Sequence, residues 1–168
     1  MEYNDVYDAQ RNLTRRRHLR GTPWAEGEYG LVVCVWVHDG HGNLLLTLRA
    51  PEKIMGGTWE NSGGSALAGE TSLEAIRREL FEETGIRAQP EEFELLESLR
   101  ERSSFYDFYC VEKQVPLEQI VLQPGETVDA RWVSFRKMHD MIRQKRVCPP
   151  VAERFLRHES LLLHRQKP

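Results

Sequence analysis

The sequence predicts an α/β fold, on three observations. One helix has both ends written into the chain: Thr71 and Glu74 have the spacing of a capping box, and Gly85 supplies the left-handed residue that closes many helices. Strand-like runs flank it, with 31–37 continuously apolar and 93–100 and 105–111 alternating. The chain has 168 residues, 40% of them apolar, which is enough for one domain with a substantial core.

Taken in order, residues 3–8 (YNDVYD) read as a short edge strand and 9–12 as a turn. Residues 14–28 are charged, with Pro23 and several glycines, and read as an irregular arm in which Trp24 is the one large apolar group. Trp24 is expected to cover the domain edge; the alternative is that it lines a substrate cleft. Residues 31–37 form a buried strand, 39–43 (DGHGN) have turn chemistry, and 44–49 return as a hairpin with His38 and His41 exposed at its tip. Residues 50–57 are a loop and 58–61 a short strand leading to Gly63 and Gly64, where the missing side chains let backbone approach a ligand or metal. Past the helix, 93–100 and 105–111 are strands joined at Ser103 and Ser104. The stretch 116–124 is looser, with 119–122 extended. A strand over 128–133 precedes a helix capped by Ser134, and Cys148-Pro149-Pro150 breaks the chain before a helix over 151–163. The expected organisation is one domain over 1–168: a strand and arm over 1–28, a core over 29–142 and a closing helix over 150–164.

Composition removes several function classes. A net charge of −3 leaves no basic footprint for nucleic acid, and the run Arg15-Arg16-Arg17 is too short to change that. The longest apolar run is far below the ~20 residues that span a bilayer, so no membrane partner is expected. The opening MEYNDVYDAQ is acidic and polar, unlike a signal peptide. Cys34, Cys110 and Cys148 are odd in number and scattered, as buried reduced thiols would be. These readings fit a cytoplasmic protein.

The chemistry concentrates on the helix. At about 100° per residue, Leu73, Ile76 and Leu80 fall on one apolar stripe, and Glu79, Glu82 and Glu83 on a second stripe beside it. Like charges at these spacings repel by about 0.2–0.5 kcal/mol per pair. They also occupy the last two turns, where the helix dipole favours cations. A hard divalent cation, Mg²⁺ or Mn²⁺, would remove the conflict by taking the carboxylates as oxygen ligands. An acidic, solvated helix face is the alternative reading of the spacing.

The flanks add a longer pattern. Gly64, Glu70, Arg78-Glu79-Leu80, Glu82-Glu83 and Gly85-Ile86 match every specified position of the Nudix box, so the chain resembles a Nudix hydrolase over roughly residues 29–139. The resemblance implies an α/β/α sandwich with a mixed central sheet, and cleavage of a nucleoside diphosphate linked to another moiety. It implies that Glu79, Glu82 and Glu83 ligate the metal, with a backbone carbonyl at Gly63 or Gly64 (Gly64 being the assigned ligand), and that Glu70 and Arg78 form a supporting ion pair. A further carboxylate often comes from across the cleft, and Glu126 stands in the corresponding place. The general base therefore lies among Glu79, Glu83 and Glu126.

A second resemblance covers residues 29–66. Arg49-Ala50, Lys53 and Trp59-Glu60-Asn61-Ser62 echo the isopentenyl-diphosphate isomerase motif of Arg-Ala, Lys and Trp-Thr-Asn-Ser. It implies that Arg49 and Lys53 hold the substrate diphosphate, as fork and point cations suit. The isomerase groups themselves are absent: Gly64 stands for the reactive Cys, Ala66 for a metal-binding His, and Gly30 for the His before the first core strand.

The expected function is a metal-dependent pyrophosphohydrolase using Mg²⁺ or Mn²⁺ on a small-molecule diphosphate. The alternatives are an isopentenyl-diphosphate isomerase-like enzyme and a non-catalytic nucleotide-binding module. A homodimer is compatible with the sequence, which does not reveal the oligomeric state.

Overall fold

The computed structural model describes residues 1–167. Strands β1 (Tyr3–Tyr7) and β2 (Leu13–Leu19) form a two-stranded antiparallel sheet of their own. The remaining strands, β3 (Gly30–His38), β4 (Asn43–Arg49), β5 (Trp59–Glu60), β6 (Ser62–Ser65), β7 (Glu94–Glu101), β8 (Ser104–Glu112) and β9 (Thr127–Ser134), make a seven-stranded mixed sheet. Helix α1 (Ser72–Thr84) lies between β6 and β7 in the chain, and α2 (Phe135–Arg143) and α3 (Pro149–Leu163) follow β9.

β3 is the hub. It runs parallel to β8 over its whole length and antiparallel to β6 from Val32 to Val35, and it meets β4 only at His38–Leu44. β4 then pairs with β9 and β5, so the expected hairpin of 31–37 and 44–49 splays apart after its turn. Asp39 makes that turn, its Oδ1 accepting the amides of His41 (2.7 Å) and Asn43 (3.0 Å).

β3 is apolar throughout because both of its faces are covered. Leu31, Val33, Val35 and Val37 point into a core with Ile76 and Leu80 of α1, while Trp36 points into a second core with Met138 of α2 and Phe155 of α3. Two apolar layers on one sheet give the α/β/α sandwich. In the second core Trp36 Nε1 donates to His158 Nδ1 at 3.2 Å, which places the imidazole proton on Nε2, 3.0 Å from Glu97. Burial lowers the pKa of His158 and keeps it neutral in that role.

Three local expectations need correction. Residues 14–28 are not all irregular: β2 occupies Leu13–Leu19, its three arginines exposed, so β1 is a hairpin partner and not an edge of the main sheet. His38 is buried, because β3 continues through it and pairs it with Glu112 as well as Leu44. The stretch 119–122 is not a strand; a 3₁₀ turn occupies Leu117–Gln119. All three cysteines are free and buried. No helix among the described residues is long and apolar enough to cross a membrane.

Candidate active site

Helix α1 forms as its ends dictate. Thr71 accepts the Glu74 amide while Glu74 reaches back to Thr71, and Gly85 closes the helix at φ 72°. Ile76 and Leu80 anchor its apolar stripe in the core, which turns the acidic stripe toward the β3–β6 ladder.

Two glycines let the helix come that close. A side chain at Gly63 would overlap the Val33 carbonyl, and a methyl at Gly64 would fall within 2.6 Å of the Glu79 carboxylate. Glu83 Oε2 accepts the Gly63 amide at 3.3 Å. Glu79 and Glu83 therefore converge on the Gly63–Gly64 backbone, as oxygens around a cation would. Glu82 does not join them: it is held at the rim by Arg78 Nη1 at 3.0 Å.

Arg78 organises the rest. Its Nε and Nη2 contact Glu70 at 2.7 and 3.0 Å, Nη1 reaches Glu79 at 2.9 Å, and Nη2 donates to the Ser65 carbonyl at 3.2 Å. One guanidinium thus ties the loop before α1 to two glutamates of the acidic stripe. Glu70 and Arg78 form the expected pair, and Arg78 also supplies charge that the spacing argument did not count.

Arg49 and Lys53 pair with two other carboxylates, Glu60 and Glu126. Arg49 Nη1 contacts both oxygens of Glu60 at 2.8 and 2.7 Å, and Lys53 Nζ contacts Glu126 Oε1 at 2.5 Å. Each cation expected to hold a diphosphate is paired with a carboxylate. Glu60 is the residue that sequence reasoning missed. Its signal was a departure: the isomerase-like motif has Thr where this chain has Glu60.

The electrostatics follow from this crowding. Burial, and then Glu60 and Glu79, push the Glu83 carboxyl well above the usual carboxylate range. Burial raises Glu79 and Glu60 too, against the pull of Arg78 and Arg49. Among the described residues no three acidic, His or Cys side chains converge closely enough to hold a metal ion as they stand, because Arg78, Arg49 and Lys53 hold most of the carboxylates. The donor set is nonetheless all oxygen, and the space a Cβ would fill at Gly64 holds the Glu79 carboxylate, so the residues fit a hard divalent cation.

Trp24 stacks on His18 (centroids 3.7 Å apart) and its ring covers Gly30, where a Cβ would lie 2.6 Å from it. With Arg20 and Ser65 it lines a cavity of about 100 Å³. It seals the start of β3, the covering role expected of it.

Residues 28–153 match the NUDIX domain family model. The chain belongs to the Nudix family. Its hydrolases act on phosphoanhydride bonds. The chain is 36% identical over 143 residues to an uncharacterized Nudix hydrolase of Listeria innocua, covering 82% of this chain and 83% of that one. It is 41% identical over 64 residues to an isopentenyl-diphosphate Delta-isomerase of Pectobacterium atrosepticum, covering 37% of this chain and 36% of the isomerase. The crystal structure of DR0079 from Deinococcus radiodurans superposes with a TM-score of 0.76 at 21% identity, covering 93% of this chain and 98% of that one. That last likeness speaks to the Nudix fold alone.

The Gly64 contact gives a direct test. Gly64→Ala is expected to leave the protein folded, since the obstructed atoms are the end of a flexible side chain. It should lower turnover by about 10–100-fold, as displacing an orienting contact at a metal site does. Unchanged kcat/KM with an unchanged melting temperature would separate Gly64 from the chemistry.

Proposed function

We propose that this Nudix domain is a metal-dependent pyrophosphohydrolase that cleaves the diphosphate bridge of a nucleoside diphosphate linked to another moiety. The observation that carries the reading is the meeting of Glu79 and Glu83 at the Gly63–Gly64 backbone, with Arg49 and Lys53 alongside. Glu79, Glu83 and the Gly64 backbone would hold Mg²⁺ or Mn²⁺, joined by Glu82 on its release from Arg78, and the ion when bound neutralises phosphate charge and acidifies a coordinated water.

The chain's own residues do the rest. Arg49 and Lys53 exchange their carboxylate partners for phosphate oxygens, a substitution of like for like. Arg78 keeps Glu70, Glu79 and the Ser65 loop in register while that happens. The proton of the attacking water passes to one of Glu79, Glu83 and Glu126, and pH–rate profiles of the three single Gln variants assign it.

The isomerase reading meets two objections. Gly30, Gly64 and Ala66 supply none of the His and Cys groups of that chemistry, and a side chain at Gly30 would run into the Trp24 ring. The test is a hydrolysis screen over nucleoside diphosphate compounds and isopentenyl diphosphate, with Mg²⁺, with Mn²⁺ and with chelator. Metal-dependent cleavage of a nucleoside diphosphate compound is the expected result. Dimethylallyl diphosphate formed at a catalytic rate would overturn the proposal.

A further inference from the structure

Among the described residues, two buried threonine hydroxyls have no hydrogen-bond partner, Thr47 on β4 and Thr127 on β9. Thr127 lies across from Arg49 in the β4–β9 ladder, and Thr47 lies across from Glu60 in the β4–β5 ladder. Thr47 is the more deeply placed, at 1% exposed. It interrupts the leucines of NLLLTLR, where Val has the same shape, suits a strand as well and brings no hydroxyl to bury. A residue that breaks a local rule beside a site calls for a role in it.

Its position gives that role. Side chains alternate along a strand, so Thr47 shares a face with Leu45, in the α1 core, and with Arg49. Directly opposed residues of an antiparallel pair also share a face, with Cβ atoms about 4.5–5.5 Å apart. The Thr47 hydroxyl therefore stands beside the Glu60 side chain, yet both Glu60 oxygens are turned to Arg49 Nη1. Donor and acceptor are neighbours that the resting structure keeps apart.

Substrate changes the balance. When Arg49 gives up Glu60 for a phosphate oxygen, a carboxylate whose side chain is only 13% exposed loses its partner. A buried charge left unpaired is costly, and here it would also face an incoming anion. The other cation acting on Glu60 is Lys53, which moves to phosphate in the same exchange. The Thr47 hydroxyl is the neutral donor left beside it.

We propose that Thr47 is a positioning residue for this exchange: its hydroxyl donates to the Glu60 carboxylate once Arg49 has left for phosphate, and holds that charge away from the diphosphate. Thr47 acts through Glu60 and Arg49 and touches neither substrate nor metal. The inference rests on the reading of Arg49 as a phosphate ligand, but not on turnover.

The test is calorimetric titration of the full chain with inorganic pyrophosphate in metal-free buffer, alongside thermal melts without ligand. Thr47→Val should raise the melting temperature by about 2–4 °C, because it removes an orphan hydroxyl and keeps the shape. The same change should weaken pyrophosphate binding about tenfold, as loss of a hydrogen bond to a charged group does. Thr47→Ser should restore wild-type affinity. Glu60→Ala should bind pyrophosphate more tightly than wild type, and Thr47→Val should have no effect on binding in that background, a coupling that a purely structural role would not produce. A lowered melting temperature for Thr47→Val, showing a hydroxyl already partnered, overturns the proposal. So does an affinity loss that persists alongside Glu60→Ala. Unchanged affinity in Thr47→Val, with diphosphates still cleaved, overturns it too and leaves the hydrolase reading standing. A wild type that binds no pyrophosphate takes Arg49 off the phosphate and the proposal with it. A protein that meets every expectation but cleaves no diphosphate keeps the role of Thr47 and sinks the hydrolase reading.

Discussion

Replacing Glu83 with glutamine is expected to lower turnover by about a hundredfold or more, since even partners that merely orient metal ligands are worth 10–100-fold. The same change should raise the melting temperature in metal-free buffer at neutral pH. Burial, and then Glu60 and Glu79, raise the Glu83 carboxyl well above its ordinary 4.5. An acid raised in this way favours the folded state below its unfolded pKa, and that advantage is lost as pH rises through the folded value. At neutral pH wild type therefore carries a penalty that glutamine lacks, and the gain of Glu83→Gln should shrink as pH falls toward 4.5. Mn²⁺ should stabilise wild type by mass action and the variant far less. Glu82→Gln should bring no stability gain, because Arg78 already partners that carboxylate at 3.0 Å. A Glu83→Gln enzyme with wild-type turnover, or with a wild-type melting response to Mn²⁺, would remove Glu83 from the metal site.

The second large effect lies outside the site. Asp107 is 2% exposed and receives both Nη groups of Arg11, at 2.8 and 2.5 Å, together with the hydroxyls of Ser72 and Ser98, each at 2.5 Å. This one carboxylate joins the turn after β1, the first turn of α1 and strands β7 and β8. Arg11→Ala should cost about 3 kcal/mol, the low end for stranding a buried charge, since Arg11 itself is partly exposed. Arg11→Ala combined with Asp107→Asn should lose less than the sum of the two single changes, because the stranded charge is gone. Burial opposes ionisation of Asp107, but Arg11, Ser72 and Ser98 outweigh it and hold its pKa below 3.8. Its contribution is present above 3.8 and is lost as pH falls through the folded value. Denaturant melts at neutral pH and at pH 3 check both statements. Loss below 1 kcal/mol for Arg11→Ala would show the pair to be ornamental.

Where local chemistry decides structure, the chain could be read directly. Thr71, Glu74 and Gly85 marked α1 because caps act within a few residues. Ser134 marked α2 for the same reason, its hydroxyl accepting the Lys137 amide at 3.2 Å. β2 escaped notice because only His18 on it is buried, and Arg15 at φ 63° interrupts any alternation. It is a strand through pairing with β1, which no periodicity announces. The parallel pairing of β3 with β8 was equally silent, since an apolar run shows burial on both faces but not its neighbour. In the site, the acidic stripe was legible as a spacing. Its partners were not: Arg78 bridging Glu79 and Glu82, and Glu60 facing Glu83, depend on how side chains from distant segments turn.

The pairing of β3 with β8 also bears on how the molecule is made. Gly30 aligns with Ser104, 74 residues downstream. At about 5–20 residues per second, the ribosome delivers the far end of that ladder some 4–15 s after the near end. For that interval the most apolar segment of the chain, GLVVCVWVH, has emerged without the strand that will cover its longest edge. β6 pairs with the other edge, from Val32 to Val35, and leaves this one open. The nascent chain therefore passes through a stage with an open, sticky strand, and cellular yield should respond to translation speed and chaperone supply more than the stability of the finished fold would suggest.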